Sequence, residues 1–347
     1  MILHQRIDAF SELGKILRNI LDGKESGFGK GFIELIGNQQ RTNPWFTPEN
    51  VRMAVKSIAD KLTSDNLKKW TDAYPALDSD HKPLSIGVIM AGNIPLVGFH
   101  DFLTVLISDN IIKVKTSSKD TELIKAIGDI LISINNEFSN RIEFLTGQLK
   151  DFDLVIATGS NNSSRYFEYY FGPYPHIIRK NRNSVSIIEG DESNEDFRKL
   201  GSDIFSYFGL GCRNVSKVYL PAGFDLHRMI SNWNDFRSIV NNNKYANNYE
   251  YNLAVNMVNR EKFLDTGFLI LKESRSLQSP VSVIHYQYYS TPGEVLNDIE
   301  SQQEKIQCVV SKKSIPFGMS QSPELWDYAD NIDTLDFILK KKMSGIM

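Results

Sequence analysis

The stretch LSIGVIMAGNIPLVGFHDFLTVLISDNIIKVKTS, residues 84–117, decides the fold. Its apolar run over 84–90 has strand length and stops at the turn formers Ala91, Gly92 and Asn93. Residues 95–107 then read as a helix and 111–115 as a second strand, which together make one βαβ unit. Downstream, Leu123, Ile127, Ile130, Leu131 and Ile134 mark another helix. Residues 152–157 read as a strand that enters the turn Thr158-Gly159-Ser160, followed by a tyrosine-rich helix, which gives a second crossover. Short β runs at 185–188, 215–220, 268–271, 281–289 and 306–310 alternate with helices near 195–206 and 245–258. Upstream, Ile7, Phe10, Leu13, Leu17, Ile20 and Leu21 recur at helical spacing before a stop at Gly23. The Gly-rich run 27–31 follows a helix and lacks the Lys-Ser/Thr ending of a phosphate loop, so it reads as a flexible turn. Thr47-Pro48-Glu49 reads as an N-cap with proline at the first helical position, opening a helix buried along Val51, Ala54, Val55, Ile58 and Leu62. The whole chain is α/β, with no internal repeat and no low-complexity linker.

Composition narrows the function classes. A chain of 347 residues is long enough for two domains, and 41% hydrophobic with 23% charged residues is ordinary for a folded globular protein. The net charge of -3 supplies no general attraction to nucleic acid or anionic lipid. Two cysteines, Cys212 and Cys308, make neither a disulfide framework nor a four-ligand zinc site, and the six histidines show no metal-ligand spacing. No metal is expected. The most apolar window, 86–99, is interrupted by Gly92, Asn93 and Pro95, and the amino terminus lacks a charged-then-apolar signal pattern. A soluble cytoplasmic protein is the expectation.

Ligands of open parallel sheets bind beyond the carboxyl ends of the strands, so the loops at 91–95 and 158–164 are candidates. Asn93 could aim a neutral amide donor at a developing oxyanion, or Asn and Gly could simply make the turn. The Gly-, Ser- and Asn-rich second loop could cradle a pyrophosphate on the amides of the following helix. The stronger constellation is Gly209-Leu210-Gly211-Cys212-Arg213-Asn214, where backbone amides and Arg213 could stabilise a thiolate. The alternative is that Cys212 is a small buried hydrophobe, as Cys308 is expected to be. No Gly-x-Ser-x-Gly elbow occurs, which removes a lipase-type triad. His285 lies among tyrosines of a packing strand. The basic patch Arg179-Lys180-Asn181-Arg182 reads as a phosphate contact or a solvated loop, and the closing run Lys340-Lys341-Lys342 as a solvated tail.

In their order, these motifs resemble the aldehyde dehydrogenase superfamily, and within it the acyl-CoA reductase family that includes the fatty-acid reductase subunit of bacterial luminescence. Ala91-Gly92-Asn93-Ile94-Pro95 resembles the turn bearing the oxyanion asparagine. The run from Asn110 through Lys115, Thr116 and Ser117 resembles the strand whose lysine contacts the cofactor ribose. Thr158-Gly159-Ser160 resembles the loop beside the cofactor, and Gly209-x-x-Cys212 the loop with the catalytic cysteine. The ending Phe317-Gly318-Met319-Ser320-Gln321 through Asp327-Tyr328-Ala329-Asp330 is similar to the acyl-CoA reductase branch. The resemblance covers roughly residues 80 to 340. One departure is that hydrolytic aldehyde dehydrogenases carry Glu-Leu-Gly-Gly-Lys, whose glutamate activates water, where this chain reads Arg179-Lys180-Asn181-Arg182-Asn183. A second is the region before residue 80, short and unlike that of the family's longer members.

The resemblance implies an α/β fold of aldehyde dehydrogenase type, a Rossmann-type cofactor domain plus an α/β catalytic domain. It places an N-terminal helical region at 1–80, a nicotinamide cofactor domain at 81–192, a catalytic thiol domain at 193–315, and a segment at 316–347 that returns to the cofactor domain. It implies reduction of an acyl-CoA, fatty acyl by family, to the aldehyde through an acyl-cysteine on Cys212, with Asn93 holding the oxyanion. NADPH, with NADH not excluded, would lie against Lys115, Thr116, Ser117, Thr158, Gly159 and Ser160; CoA would be the leaving group, and Arg182 and Arg213 are candidates for phosphate. An acyl-CoA or acyl-protein donor, a homo-oligomer and an acyl-protein synthetase partner are also expected. The alternatives are a cysteine-dependent acyltransferase or thioesterase, and a non-catalytic subunit of an acyl-processing complex that docks a partner through the tyrosine-rich helix at 166–170.

Overall fold

The computed structural model describes residues 1–24, 27–79 and 82–343. The chain divides into two compact units: Met1–Lys180 with the segment from Glu324 onward, and Asn181–Pro323.

The first unit opens with four helices, α1 (Leu3–Leu21), α2 (Gly29–Thr42), α3 (Pro48–Lys61) and α4 (Ser64–Thr71). The stripe Ile7, Phe10, Leu13, Leu17 and Ile20 of α1 is fully covered. Gly14 permits the closest approach, since a Cβ there would lie 2.3 Å from the Leu62 carbonyl oxygen. As expected, Thr47 caps α3, its Oγ1 accepting from Asn50 N at 3.3 Å, with Pro48 at the first position. The run 27–31 differs from expectation: α2 already starts at Gly29, and its apolar face buries Phe32 and Ile36.

Next come β1 (Ser85–Ile89), α5 (Phe99–Ile107), β2 (Ile111–Lys115), α6 (Glu122–Ile134), β3 (Ile142–Phe144), β4 (Leu154–Thr158), α7 (Asn161–Phe171) and β5 (His176–Arg179). They form a wholly parallel sheet in the order β3-β2-β1-β4-β5. β1 is central, with Ile86 opposite both Ile112 and Leu154. The chain first winds outward through β2 and β3, then returns to the other side of β1 for β4 and β5, so the order reverses between β1 and β4. Helix α5 begins at Phe99, four residues later than the pattern suggests, because Leu96 adopts a left-handed conformation at φ 57° and breaks the helical run.

The second unit contains β6 (Asn183–Ile187), α8 (Asn194–Phe205), β7 (Val215–Pro221), α9 (Leu226–Ile230), α10 (Asn243–Val258), β8 (Leu264–Asp265), β9 (Ile270–Glu273), β10 (Val283–Tyr289), α11 (Pro292–Ser301) and β11 (Ile306–Val310). Its sheet has the order β11-β6-β7-β10-β9-β8, parallel except for the β8–β9 edge pair. The break between units thus falls after Lys180, not at the expected 192/193, because β6 pairs with β7 and β11.

The chain rejoins the first unit at Glu324, later than the expected residue 316, and ends the described region in α12 (Thr334–Met343). Within that unit Trp70 Nε1 donates to Tyr328 Oη at 2.8 Å, and Tyr74 Oη donates to Asp333 at 2.7 Å. The lysine run is therefore the last turn of a helix: Lys340 pairs with Asp336 at 2.6 Å, and Lys342 Nζ donates to Ser108 O at 3.0 Å. Leu335, Ile338 and Leu339 bury the opposite face. Among the described residues no helix is long and apolar enough to cross a membrane.

Candidate functional site

The strand order switches between β1 and β4, and open parallel sheets bind ligands beyond the carboxyl ends of the strands at such a switch point. Ile89, the last residue of β1, lies in register with Lys115 on β2 and Ala157 on β4. The loops that follow these strands therefore share one edge. With the strand ends they carry Asn93, Lys115, Thr116, Ser117, Thr158, Gly159 and Ser160, so topology brings every candidate of this unit to one edge.

Asn93 is exposed in the turn after β1. Gly92 beside it is required by close approach, since a Cβ would lie 2.5 Å from Ser117 Oγ. Lys115 is half-buried, with Nζ donating to Thr146 O at 3.2 Å. Thr116 Oγ1 meets Thr121 Oγ1 at 3.2 Å, and Ser117 Oγ accepts from Lys119 N at the same distance. On the other side of β1, Ser160 caps α7 by accepting from Ser163 N at 3.2 Å. A side chain at Gly159 would reach within 2.8 Å of Phe167 and Ser163, so glycine keeps the turn against the helix. The amino terminus of an eleven-residue helix, at the switch point and opposite a lysine-bearing strand, is chemically suited to an extended anionic ligand such as a dinucleotide.

The second unit builds a different kind of edge. Cys212, Arg213 and Arg182 lie at the amino ends of β7 and β6, adjacent parallel strands with Ser184 opposite Val215. Both cysteines are thiols; Cys212 is half-buried and Cys308 buried. Ahead of Cys212, Tyr207 (φ 51°), Phe208 (φ 59°) and Gly209 (φ 74°) are all left-handed. For two aromatic residues that conformation costs about 1–2 kcal/mol each. Burial of Tyr207 and Phe208 offsets it.

Side chains then hold the turn. The Asn214 carboxamide donates to Ser206 O at 2.8 Å and Asp203 O at 3.0 Å, while its Oδ1 accepts from Gly211 N at 2.8 Å. Ser184 Oγ donates to the Cys212 carbonyl at 2.8 Å and lies 3.0 Å from Cys308 Sγ. The fully buried Asp203 carboxylate accepts from Gly318 N at 2.6 Å and Ser320 N at 2.9 Å, and burial raises its pKa. Cys212 thus sits in a partly accessible turn fixed from both sides, a setting suited to a nucleophile. Arg213 beside it is half-buried.

The basic patch divides. Arg179 ends β5 inside the first unit, buried in an ion pair with Asp101, and donates to Thr334 Oγ1 at 2.8 Å. It is neither a solvated loop residue nor a surface phosphate contact. Arg182 directs Nη1 to the carbonyls of Gln303 and Ile306 at 3.4 and 3.3 Å, tying β6 to the start of β11. His285 is buried, with Nδ1 3.1 Å from Ser276 O, and burial lowers its pKa. Sequence reasoning passes over Ser184 and Asp203, and it names Asn214 in the Cys212 turn without a role. Only Asn214 carried a signal, an asparagine directly after the Gly-x-x-Cys-Arg turn. Among the described residues no group of acidic, His and Cys side chains could hold a metal ion.

No protein-family model and none of the curated proteins matches the sequence. Solved structures do. Aldehyde dehydrogenase 21 from Physcomitrella patens, in complex with the product succinate, superposes with a TM-score of 0.67 at 11% identity, over 99% of this chain and 85% of that one. The Mycobacterium tuberculosis aldehyde dehydrogenase complexed with NAD+ gives 0.64 at 13% identity, over 93% and 76%. That of Bacillus cereus, also an NAD+ complex, gives 0.60 at 14% identity, over 90% and 72%. The chain has an aldehyde-dehydrogenase-like fold.

Proposed function

With that fold as premise, we propose that the protein is a nicotinamide-dependent oxidoreductase of aldehyde-level carbon that works in the reductive direction, converting an acyl-CoA or acyl-protein thioester to the aldehyde. The observation that carries the reading is the Cys212 turn: a half-buried thiol whose backbone is held by Ser184 and Asn214 behind three left-handed residues. Reduction is favoured over oxidation to a free acid by Arg179. It stands in the stretch where hydrolytic relatives carry a water-activating glutamate, and it is engaged by Asp101.

In this scheme the Cys212 thiolate attacks the thioester carbonyl, and CoA leaves with a proton. The acyl-cysteine carbonyl carbon then accepts a hydride, and collapse of the tetrahedral adduct releases the aldehyde and restores the thiolate. Asn93 and the Cys212 amide would donate to the oxyanion in both tetrahedral states. The donor set at the carboxyl edge of the first sheet fits a dinucleotide: Ser160 and the start of α7 suit a pyrophosphate, Gly159 keeps the turn low, and Lys115 suits a ribose hydroxyl. When bound, the reduced nicotinamide supplies the hydride. The NAD+ complexes of the structural neighbours support a nicotinamide cofactor, while NADPH rests on the acyl-CoA reductase resemblance. Cytoplasmic action as a homo-oligomer belongs to the same proposal.

Single-turnover labelling tests it. Wild type and Cys212→Ala are incubated with radiolabelled acyl-CoAs of several chain lengths and an acyl carrier protein, then given NADPH or NADH. The expected result is label on wild type alone, discharged as aldehyde by one cofactor. Asn93→Ala should slow that turnover by about 10² to 10³, the usual weight of an oxyanion donor. Label that neither cofactor discharges would make the protein an acyl-transfer enzyme, and no label from any donor would overturn the catalytic reading.

A further inference from the structure

Asp120 lies one residue before the cap of α6 and takes no part in the scheme above. It is 5% exposed, yet it carries a carboxyl group. Its Oδ2 accepts from Leu96 N at 2.7 Å, and Oδ1 has no partner among the described residues. Leu96 is the left-handed residue, at φ 57°, that separates the Asn93 turn from α5. A leucine in that conformation needs an external contact to persist.

The turn that presents Asp120 is itself stapled. Asp120 N donates to Ser117 O at 3.0 Å, Thr121 Oγ1 to the same oxygen at 2.8 Å, and Lys119 N to Ser117 Oγ at 3.2 Å. Ser117 in turn fills the space that a side chain on Gly92 would need. The turn after β2 therefore touches the Asn93 loop twice, at Gly92 before the asparagine and at Leu96 after it.

We propose that Asp120 is a positioning residue for Asn93: its carboxylate grips the Leu96 N–H and so locks the loop of residues 91–96 onto the turn that follows Lys115. The assignment of an effect on catalysis rests on the reading of Asn93 as oxyanion donor, whereas the grip itself does not. Because the contact is to an ionised acceptor, it is stronger than its neutral counterpart and weakens on protonation. Burial pushes the Asp120 carboxyl up to about 7. No ion pair opposes that shift among the described residues. Residues 91–98 carry no charge, and Lys119 is exposed. Lys115 on β2 donates to Thr146 O, Glu122 and Lys125 on α6 pair at 3.5 Å, and Asp101 on α5 is held by Arg179.

The test is amide NMR of the full chain, with and without the Asp120→Asn substitution. In wild type the Leu96 amide proton should move with pH through a midpoint of about 7. In Asp120→Asn, which keeps an oxygen acceptor but cannot ionise, that movement should vanish. A Leu96 resonance that stays flat from about pH 5 to about pH 9 in wild type overturns the proposal, as does an unchanged titration in the variant. Wild type alone is decisive should the variant fold poorly. In parallel, discharge of the preformed acyl-cysteine as aldehyde, started from enzyme acylated beforehand at one pH so that thiolate attack does not enter, should fall about fivefold from about pH 8 to about pH 6 in wild type and should be flat in the variant. If the Leu96 titration occurs but no acyl donor labels Cys212, the functional reading fails and the Asp120 grip stands. If turnover occurs with a profile that Asp120→Asn leaves unchanged, the grip has no catalytic role and the positioning assignment fails.

Discussion

The two sheet edges that carry the candidate residues are made in different ways. At the carboxyl edge of the first sheet, topology does the placing: once β1 is central and the order reverses beside it, the loops bearing Asn93, Lys115 and Ser160 must emerge together. At the amino edge of the second sheet no such rule applies. There the turn before β7 is held by side chains, Asn214 and Ser184, against a left-handed backbone. The placing of the first edge should therefore depend on the integrity of the unit, with single contacts such as that of Asp120 to Leu96 N adjusting one loop within it. The second should respond locally to single substitutions.

The largest stability effect is expected in the first unit, from Arg179→Ala. Arg179 joins the end of β5 to α5 through Asp101 and to α12 through Thr334. Removing it leaves the Asp101 carboxylate buried without its cation, a loss of about 3–5 kcal/mol. Chemical denaturation should show an early transition, and alkylation of Cys212 below that transition should keep its wild-type rate. A change in Cys212 reactivity in the folded protein would break the distinction between a unit-wide pin and a local clamp.

Asn214→Ala comes next. Its carboxamide donates to two backbone carbonyls and accepts from one backbone amide, so three buried or half-buried backbone groups lose a partner together. The expected cost is about 3 kcal/mol in a denaturant titration. More telling is the local readout, since the left-handed segment at 207–209 should relax and Cys212 alkylation should change about tenfold or more. If stability falls and Cys212 reactivity does not, burial of Tyr207 and Phe208 is what holds the turn.

Legibility followed the same division. The βαβ stretch, the second crossover and most strands of the second sheet were readable because strand, turn and helix signals are local. β3 escaped notice because it is a three-residue edge strand with a charged Glu143 at its centre. β5 goes unread because Pro175 precedes it and its last residue, Arg179, opens the basic patch, although that arginine is buried by partners 78 and 155 residues away in sequence. The Gly-x-x-Cys turn was visible in its glycines, but its supports were not. Ser184 lies 28 residues before the carbonyl it binds, and Asp203 lies 115 before Gly318. Such contacts arise only when the sheet brings distant residues together, so no window along the sequence contains them.

Ser184→Ala is the smallest perturbation and the sharpest test of which clamp matters. The serine hydroxyl has a single proton, and the 2.8 Å contact to the Cys212 carbonyl takes it. Cys308 at 3.0 Å must then be the donor to Ser184 Oγ, a weak S–H contact. Alanine removes the acceptor of one bond and the donor of the other while filling nearly the same space. The expected loss is about 1 kcal/mol of stability. Asn214 still holds Gly211, so Cys212 alkylation should change by less than about threefold, and Cys308 should stay unreactive until the protein unfolds. A tenfold change at Cys212 would instead make the strand of Ser184, not the asparagine, the element that sets the thiol's geometry.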